Sequence, residues 1–279
     1  MSTTYDGTFH LSAADAAHWR DHGWVTAPQF FTPAETQALQ SAVCDLQAQG
    51  RLRNVATTGD GTTPDQHHQN LQLCPCGPHH RLLRALPWHP PVVAAVQSLL
   101  GPGTAQELDQ IFLKPAGSGS GTSWHTDNAY FRCTDTAAGT GMWIAIHDAH
   151  RENGCMRILD RSHLHAWRHR RDGDSDHHIT CADDVDEAAA IPIELPAGGV
   201  LFFNYGIAHA TGANHTNRDR AGLAYHFRRL DAIPPDRTGV GHFFRQGACL
   251  RIDGADCDGG QAWHGEDLRG VFALACQQR

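Results

Sequence analysis

The stretch MWIAIHDAHRENGCMRIL, residues 142–159, holds two short β-like runs on either side of a turn. Met142 to His147 is rich in Trp and Ile. Cys155 to Leu159 follows Asn153-Gly154, a dipeptide that favours a tight reversal because both residues tolerate positive φ. The same kind of run recurs on both sides: Leu108 to Leu113 before it, Val200 to Tyr205 after Gly198-Gly199, and Leu223 to Leu230 after the turn-rich Thr211 to Arg220. Many short strands separated by Gly and Asn turns predict a sandwich or jelly roll from about residue 105 to 232.

Upstream the period changes. Ser12 can cap a helix from Ala13 to Asp21, and Thr32-Pro33 opens a longer one through Gln49. Ala38, Leu39, Ala42, Val43 and Leu46 recur along it at helical spacing, and Gly50 ends it. A loop rich in Thr, Gly, His and Pro runs to about Pro78. Pro90 then opens a helix over Val92 to Leu100, which Gly101-Pro102-Gly103 stops. No internal repeat or low-complexity linker divides the chain. The expected organisation is one domain over residues 1–279: a helical part to about 104, the β core from about 105 to 232, and a C-terminal extension over 233–279.

With 279 residues, 41% of them hydrophobic and 19% charged, the chain can bury a sizeable core. A formal charge of -8 argues against a nucleic-acid binder. Arg168, Arg170 and Arg171 cluster, but they face Asp172, Asp174 and Asp176 and read as a solvated mixed-charge loop. Met1 to His10 lacks the pattern of a signal peptide, and Val92 to Leu100 is too short to cross a bilayer, so no membrane role and a cytoplasmic location are expected. Nine cysteines, mostly single, read as reduced and mostly buried thiols, with Cys74-Pro75-Cys76 a loop feature. Histidine is over-represented at 21 residues, and the doublets His67-His68, His79-His80 and His177-His178 are expected at the surface.

Trp124-His125-Thr126-Asp127 carries the chemistry. On a strand, His125 and Asp127 share a face because side chains alternate. His209, at the end of the apolar run Val200 to Tyr205, is the best third ligand. Two imidazoles and one carboxylate on one face leave three positions open, as a metal needs to bind a chelating co-substrate and oxygen together. Lys114-Pro115 and the glycine-rich arm Gly117 to Gly121 lead into the motif. Arg220 lies eleven residues after His209, beyond a turn at Asn214 and Asn217, where a returning strand can bring a guanidinium to grip a dicarboxylate. Thr211, two residues after His209, can offer its hydroxyl to the same carboxylate.

In these features the chain resembles the phytanoyl-CoA dioxygenase family over about Gln110 to Arg229. The resemblance lies in Phe112-Leu113-Lys114-Pro115, Trp124-His125-Thr126-Asp127, Met142-Trp143-Ile144-Ala145-Ile146, Glu152-Asn153-Gly154-Cys155-Met156, Ser162-His163, and His209 with Arg220. It departs from the family at Asp160-Arg161-Ser162-His163, in a turn away from the ligands; His163 is read as structural. The resemblance implies a mainly β fold with flanking helices around a double-stranded β-helix, a cupin-like jelly roll. It also implies a dioxygenase using Fe(II), 2-oxoglutarate and O2, with iron on His125, Asp127 and His209. Arg220 would anchor 2-oxoglutarate, Thr211 and Lys114 would assist, and Trp143 would be a nearby pocket residue. With Asp127 present where related halogenases lack a carboxylate, hydroxylation or another oxidation is implied, with release of succinate and CO2.

The expected substrate is a small polar metabolite or natural-product intermediate, with Asn128, Tyr130, Phe131 and Arg132 placed to line its pocket. Asp183 to Glu187 is a lid candidate by position. The alternatives are a metal-dependent hydrolase, seeded by His163-x-His165 or His264-x-Glu266, and a non-catalytic jelly-roll binding protein. His-Glu-x-x-His and Gly-x-Ser-x-Gly are both absent.

Overall fold

A computed structural model describes residues 10–233 and 250–277. Most of Met1 to His10, Cys249 and part of the C-terminal extension lie outside the described residues. In chain order the elements are α1 (Ala13–His22), β1 (Trp24–Ala27), α2 (Pro33–Ala48), β2 (Arg53–Asn54), β3 (Leu71–Leu73), α3 (Arg81–Ala85) and α4 (Pro90–Leu100). There follow β4 (Thr104–Lys114), β5 (Thr122–His125), α5 (Asn128–Phe131), β6 (Gly139–Ala145), β7 (Met156–Ile158), β8 (His169–Arg171) and β9 (Ile179–Cys181). The chain ends with β10 (Ile191–Ile193), β11 (Val200–Asn204), β12 (His209–Thr211), β13 (Arg220–Arg229), β14 (Leu250–Arg251), α6 (Gln261–His264) and α7 (Val271–Gln277).

The helix starts follow from their caps. Ser12 and Asp15 exchange side-chain-to-backbone hydrogen bonds at α1, and Thr32 and Glu35 do the same at α2. Each pair satisfies two amide groups that the first turn would otherwise leave without partners.

Two antiparallel sheets form a jelly roll. The larger runs β1-β11-β6-β13-β4-β3-β2, with β14 also on β4; the smaller runs β10-β7-β12-β5. Alternation along β6 explains why Met142 to Ile146 is apolar throughout. Trp143 and Ala145 face the smaller sheet and pack with Met156, Ile158 and Phe203. Met142 and Ile144 face the other way, onto the helical layer. A strand covered on both faces has no polar side to show. The helical layer is α2, α3, α4 and α7, which put Leu39, Leu83, Val96 and Phe272 against Phe202, Leu223 and Tyr225 of the sheet. Leu39 is fully buried in that seam. Leu39→Ala is expected to lower unfolding stability by about 2–5 kcal/mol, read as a lower denaturant midpoint at unchanged slope.

The segment read as loop up to Pro78 contains β3, which pairs with β4 (Leu71 opposite Leu113). Three residues reading Leu-Gln-Leu are too few to register as a strand. The Arg168–Asp176 stretch is only partly the solvated loop expected: Arg168, Arg170, Arg171 and Asp174 are exposed, but Arg170 and Arg171 lie in β8, which forms a hairpin with β9, Arg168 pairs with Asp183, and Asp172 is buried. Its lone charge run was a poor guide because the pairing partners come from other segments. Of the doublets, His178 is buried while His177 stays exposed. Cys44 and Cys74 are exposed among otherwise mostly buried thiols.

Candidate metal centre

β5 and β12 are adjacent strands, and His125 lies directly opposite His209. Their ring centroids are 4.2 Å apart. Each ring is held by its own strand: Nδ1 of His125 lies 2.8 Å from the Ser123 carbonyl, and Nδ1 of His209 lies 3.0 Å from that of Ile207. A carbonyl only accepts, so Nδ1 carries the proton in both rings and the Nε2 lone pairs are left free. Burial pushes both imidazoles down to about 4, so both are neutral near pH 7.

Asp127 reaches the same point by a different route from the one its spacing suggested. β5 ends at His125, and Asp127 has helical dihedrals (φ -63°, ψ -28°) at the start of α5. Its carboxylate therefore comes round a turn rather than by strand alternation. Asp127 Oδ1 lies 3.9 Å from Nε2 of His125 and 3.8 Å from Nε2 of His209. His209 is also not at the end of the Val200 run. β11 stops at Asn204 in the larger sheet, and the chain crosses over residues 205–208 to enter the smaller sheet as β12.

The ligand atoms of His125, Asp127 and His209 lie within 4.8 Å of one another, and among the described residues no other group of three potential donors gathers in this way. Two imidazole nitrogens and a carboxylate, with other positions open, suit a divalent first-row metal. Asp127 Oδ2 is buried without a hydrogen-bond partner among the described residues, which fits a carboxylate built to meet a cation. His264-x-Glu266 holds no such group: Glu266 pairs with Arg81 at 2.9 Å.

One neighbour escaped the sequence reading. Nδ1 of His226 lies 3.5 Å from Asp127 Oδ2, and it too is buried without a partner among the described residues. His226 sits in β13 between Tyr225 and Phe227, where alternation in an all-buried strand gave no hint that one residue faces a ligand.

A second cluster lies in the same cavity, which has a volume of about 710 Å³. Lys114 and Arg220 are cross-strand partners on β4 and β13. The Lys114 ammonium donates to Thr211 Oγ1 at 2.7 Å and to the Gly212 carbonyl. Arg220 donates to the carbonyls of Asn153 (3.3 Å) and Gly154, and its guanidinium lies 5.7 Å from the Trp143 ring centre. Thr211 Oγ1 also accepts the Thr122 amide at 3.0 Å, so its own proton remains to be given. Burial lowers both cations, Arg220 to about 10 and Lys114 well below the usual lysine range, with Arg220 beside Lys114 adding to the effect. Among the described residues neither cation has a carboxylate partner. A buried guanidinium and a buried amine that faces it across the strands, with no carboxylate between them among the described residues, make a seat for an anion, because a ligand carboxylate can supply the counter-charge.

The residues after the ligand motif divide. Tyr130 and Phe131 line the cavity. Asn128 does not: its amide clasps the Cys133 backbone, donating to the carbonyl at 3.1 Å and accepting the N–H at 2.7 Å. Arg132 is exposed, in a left-handed turn at φ 54°. Residues from far-off segments take the wall instead, among them Gln72, Glu107, Gln110 and His178. Asp183 to Glu187 does not line the cavity; Glu187 accepts the Trp124 indole N–H at 2.6 Å, and Asp183 pairs with Arg168.

Comparison with known proteins follows the same lines. The family model of phytanoyl-CoA dioxygenase (PhyH) matches residues 19–222. Phytanoyl-CoA dioxygenase 1 of Oryza sativa subsp. japonica is 30% identical over 118 residues, covering 42% of this chain and 41% of that protein. Phytanoyl-CoA dioxygenase domain-containing protein 1 of Mus musculus is 28% identical over 262 residues, covering 77% and 89%. The chain thus spans less than half the length of the rice relative and most of the mouse one. The crystal structure of the epimerase SnoN in complex with Fe3+, alpha ketoglutarate and nogalamycin RO superposes with a TM-score of 0.67 at 19% identity, covering 87% of this chain and 95% of that one. That likeness shows the shared jelly-roll fold. With the matching model running from α1 into β13, through both clusters of the cavity, the chain belongs to the phytanoyl-CoA dioxygenase (PhyH) family.

Proposed function

We propose that the protein is an Fe(II)- and 2-oxoglutarate-dependent dioxygenase acting on a small polar molecule. The observation that carries the reading is the pairing, in one cavity, of an open three-donor cluster with two buried basic side chains, Lys114 and Arg220, that have no carboxylate partner among the described residues. His125, Asp127 and His209 would hold the iron. Arg220, with Lys114 and the Thr211 hydroxyl, would hold the far carboxylate of 2-oxoglutarate, and Trp143 would cover it. Among proteins of this fold, SnoN binds iron and alpha ketoglutarate together, in keeping with this assignment.

When bound, iron with 2-oxoglutarate supplies the oxidation of a substrate C–H bond by dioxygen, with release of succinate and CO2. The protein's part is placement and exclusion. The Ser123 and Ile207 carbonyls fix both rings with Nε2 forward. The cross-strand pair Lys114 and Arg220 sets one end for the co-substrate, so its reacting end is turned towards the triad. Phe112, Met156 and Phe203 line the same cavity and keep water from that end. Substrate would enter from the side of Tyr130 and Arg53, which are exposed residues of the lining. We assign residues 1–279 to one catalytic domain, since α2, α3, α4 and α7 share their core with the larger sheet. Among the described residues no helix is long and apolar enough to cross a membrane, in keeping with a cytoplasmic enzyme.

The test is an anaerobic titration of the Fe(II) protein with 2-oxoglutarate, watching for the weak visible charge-transfer band of a chelated 2-oxo acid. Folded, iron-loaded protein that gives no band would sink the proposal. His226 provides a second check. Its Nδ1 is placed to steady Asp127 Oδ2, and loss of such an outer partner typically costs about 10- to 100-fold in metal affinity. His226→Leu is expected to weaken iron binding by that order. His226→Asn, whose amide can stand where Nδ1 stands, should recover part of it, and equal losses in both variants would mean that the ring merely packs.

A further inference from the structure

We propose that Gln110, Gln72 and His178 form the recognition wall for the primary substrate, and that this substrate is uncharged and carries hydroxyl or amide groups. The inference rests on the oxygenase reading above and adds the chemistry of the molecule oxidised.

Of the β4 residues that line the cavity, Leu108, Gln110, Phe112 and Lys114 stand two apart and so share one face of the strand. Lys114 is at the anion end. Gln110 lies four residues back, roughly 13 Å along the strand, which puts it beyond the reach of a ligand carboxylate seated on Lys114. It serves a different ligand or none.

The wall is built, not incidental. Gln110 Nε2 donates to Gln72 Oε1 at 2.7 Å; Gln72 Nε2 donates to Asn70 Oδ1 at 3.1 Å and lies 3.3 Å from His178 Nε2. Three side chains from β4, β3 and the residue before β9 are thereby chained, and none is more than 8% exposed. Gln72 uses both ends of its amide inside the chain. Gln110 Oε1 and His178 Nδ1 have no protein partner among the described residues, and both residues line the cavity. Facing the cavity, these two are free to meet a ligand that both donates and accepts. The wall also borders the triad: the His178 ring centre is 6.4 Å from that of His125. Beside His178, Tyr130 offers an aromatic ring, and its hydroxyl accepts the Ile179 amide at 3.0 Å and keeps a proton to give.

Charge sets the class. The charged groups of this half are already matched. Glu107 pairs with the buried Arg228 at 2.8 Å, and Arg53, at the mouth, pairs with Asp176. The remaining cavity cations, Lys114 and Arg220, belong to the co-substrate end. An anionic or cationic substrate would find no unmatched partner beside the wall. A long alkyl chain would leave Gln110 and His178 dry and unpaired, at about 10- to 100-fold in affinity for each group. A CoA thioester would need cations for its phosphates, which the wall does not offer.

The experiment uses the full chain loaded with Fe(II) and 2-oxoglutarate. Succinate release above the substrate-free rate is measured with methyl glucoside and N-acetylalaninamide as uncharged probes, alanine and succinamate as charged ones, and phytanoyl-CoA as the long-chain, polyanionic thioester. Each is used at about 10 mM, or to solubility, which is above the usual KM range. At least one uncharged probe is expected to stimulate turnover most. Gln110→Leu should then raise the KM for that probe at least tenfold and leave the iron–2-oxoglutarate band in place, which also shows that the variant folds. Gln110→Glu, the same size with a charge, should do likewise. Strongest stimulation by a charged probe or by phytanoyl-CoA overturns the inference, as does stimulation by no uncharged probe, or an unchanged KM in Gln110→Leu. Absence of the band in the wild type would instead defeat the oxygenase reading itself, so the two failures are told apart.

Discussion

Replacing Arg220 by alanine is expected to raise the 2-oxoglutarate concentration for half-saturation by about 30-fold or more, without removing iron. The guanidinium is fully buried, held by two backbone carbonyls and stacked near Trp143, with no carboxylate to neutralise it among the described residues. Truncating one partner of a buried, hydrogen-bonded charge pair costs about 2–5 kcal/mol, and 1.4 kcal/mol is a factor of ten. Much of this reflects the ligand carboxylate left buried and unpaired. Arg220→Lys keeps the charge and loses the two-pronged fork, so it should fall between wild type and alanine. The measurement is the same visible titration, with a thermal check: a hundredfold excess of ligand over Kd stabilises the wild type by about 2.7 kcal/mol, and at the same concentration a roughly 30-fold weaker Arg220→Ala should keep only about a third of that rise in Tm. Unchanged co-substrate affinity would remove Arg220 from the anchor and leave Lys114 as the residue to test.

His209→Ala should abolish both the band and turnover, with iron affinity lowered by more than the roughly 100-fold that loss of an outer partner can cost. The fold should survive. The ring makes one hydrogen bond, to the Ile207 carbonyl, and packs 4.7 Å from Phe203 in a strand of three residues whose other ties are backbone pairings to β5 and β7. Circular dichroism should therefore match the wild type. Added imidazole should return part of the iron binding by entering the vacated space. A variant that kept iron and turnover would show that the His125 and Asp127 pair recruits a different third ligand.

Much of this molecule was legible in its residues. The capping boxes at Ser12 and Thr32 announce α1 and α2 because a cap is a contact between residues three apart. The apolar run at Met142 and the Asn-Gly turn mark strands because burial on both faces admits no polar position. His-x-Asp, a distant histidine and an arginine eleven residues on are visible as spacing, and so the residues that gather at the two ends of the cavity could be named in advance. Each of these depends on near neighbours along the chain or on a motif carried whole.

What the tertiary structure alone decided depends on residues far apart in sequence. Asp127 joins the triad through a turn at the start of α5, and His209 through a crossover between sheets; neither route follows from a period of two. His226 faces Asp127, and Gln72, Gln110 and His178 share a wall, because β13, β4, β3 and the β8–β9 hairpin meet at one cavity. An isolated glutamine or the second histidine of a doublet reads as surface, since its burial depends on what the rest of the chain lays over it. Local sequence determined the elements and the chemistry-bearing residues, whereas packing of the two sheets decided which of them share a single enclosed space.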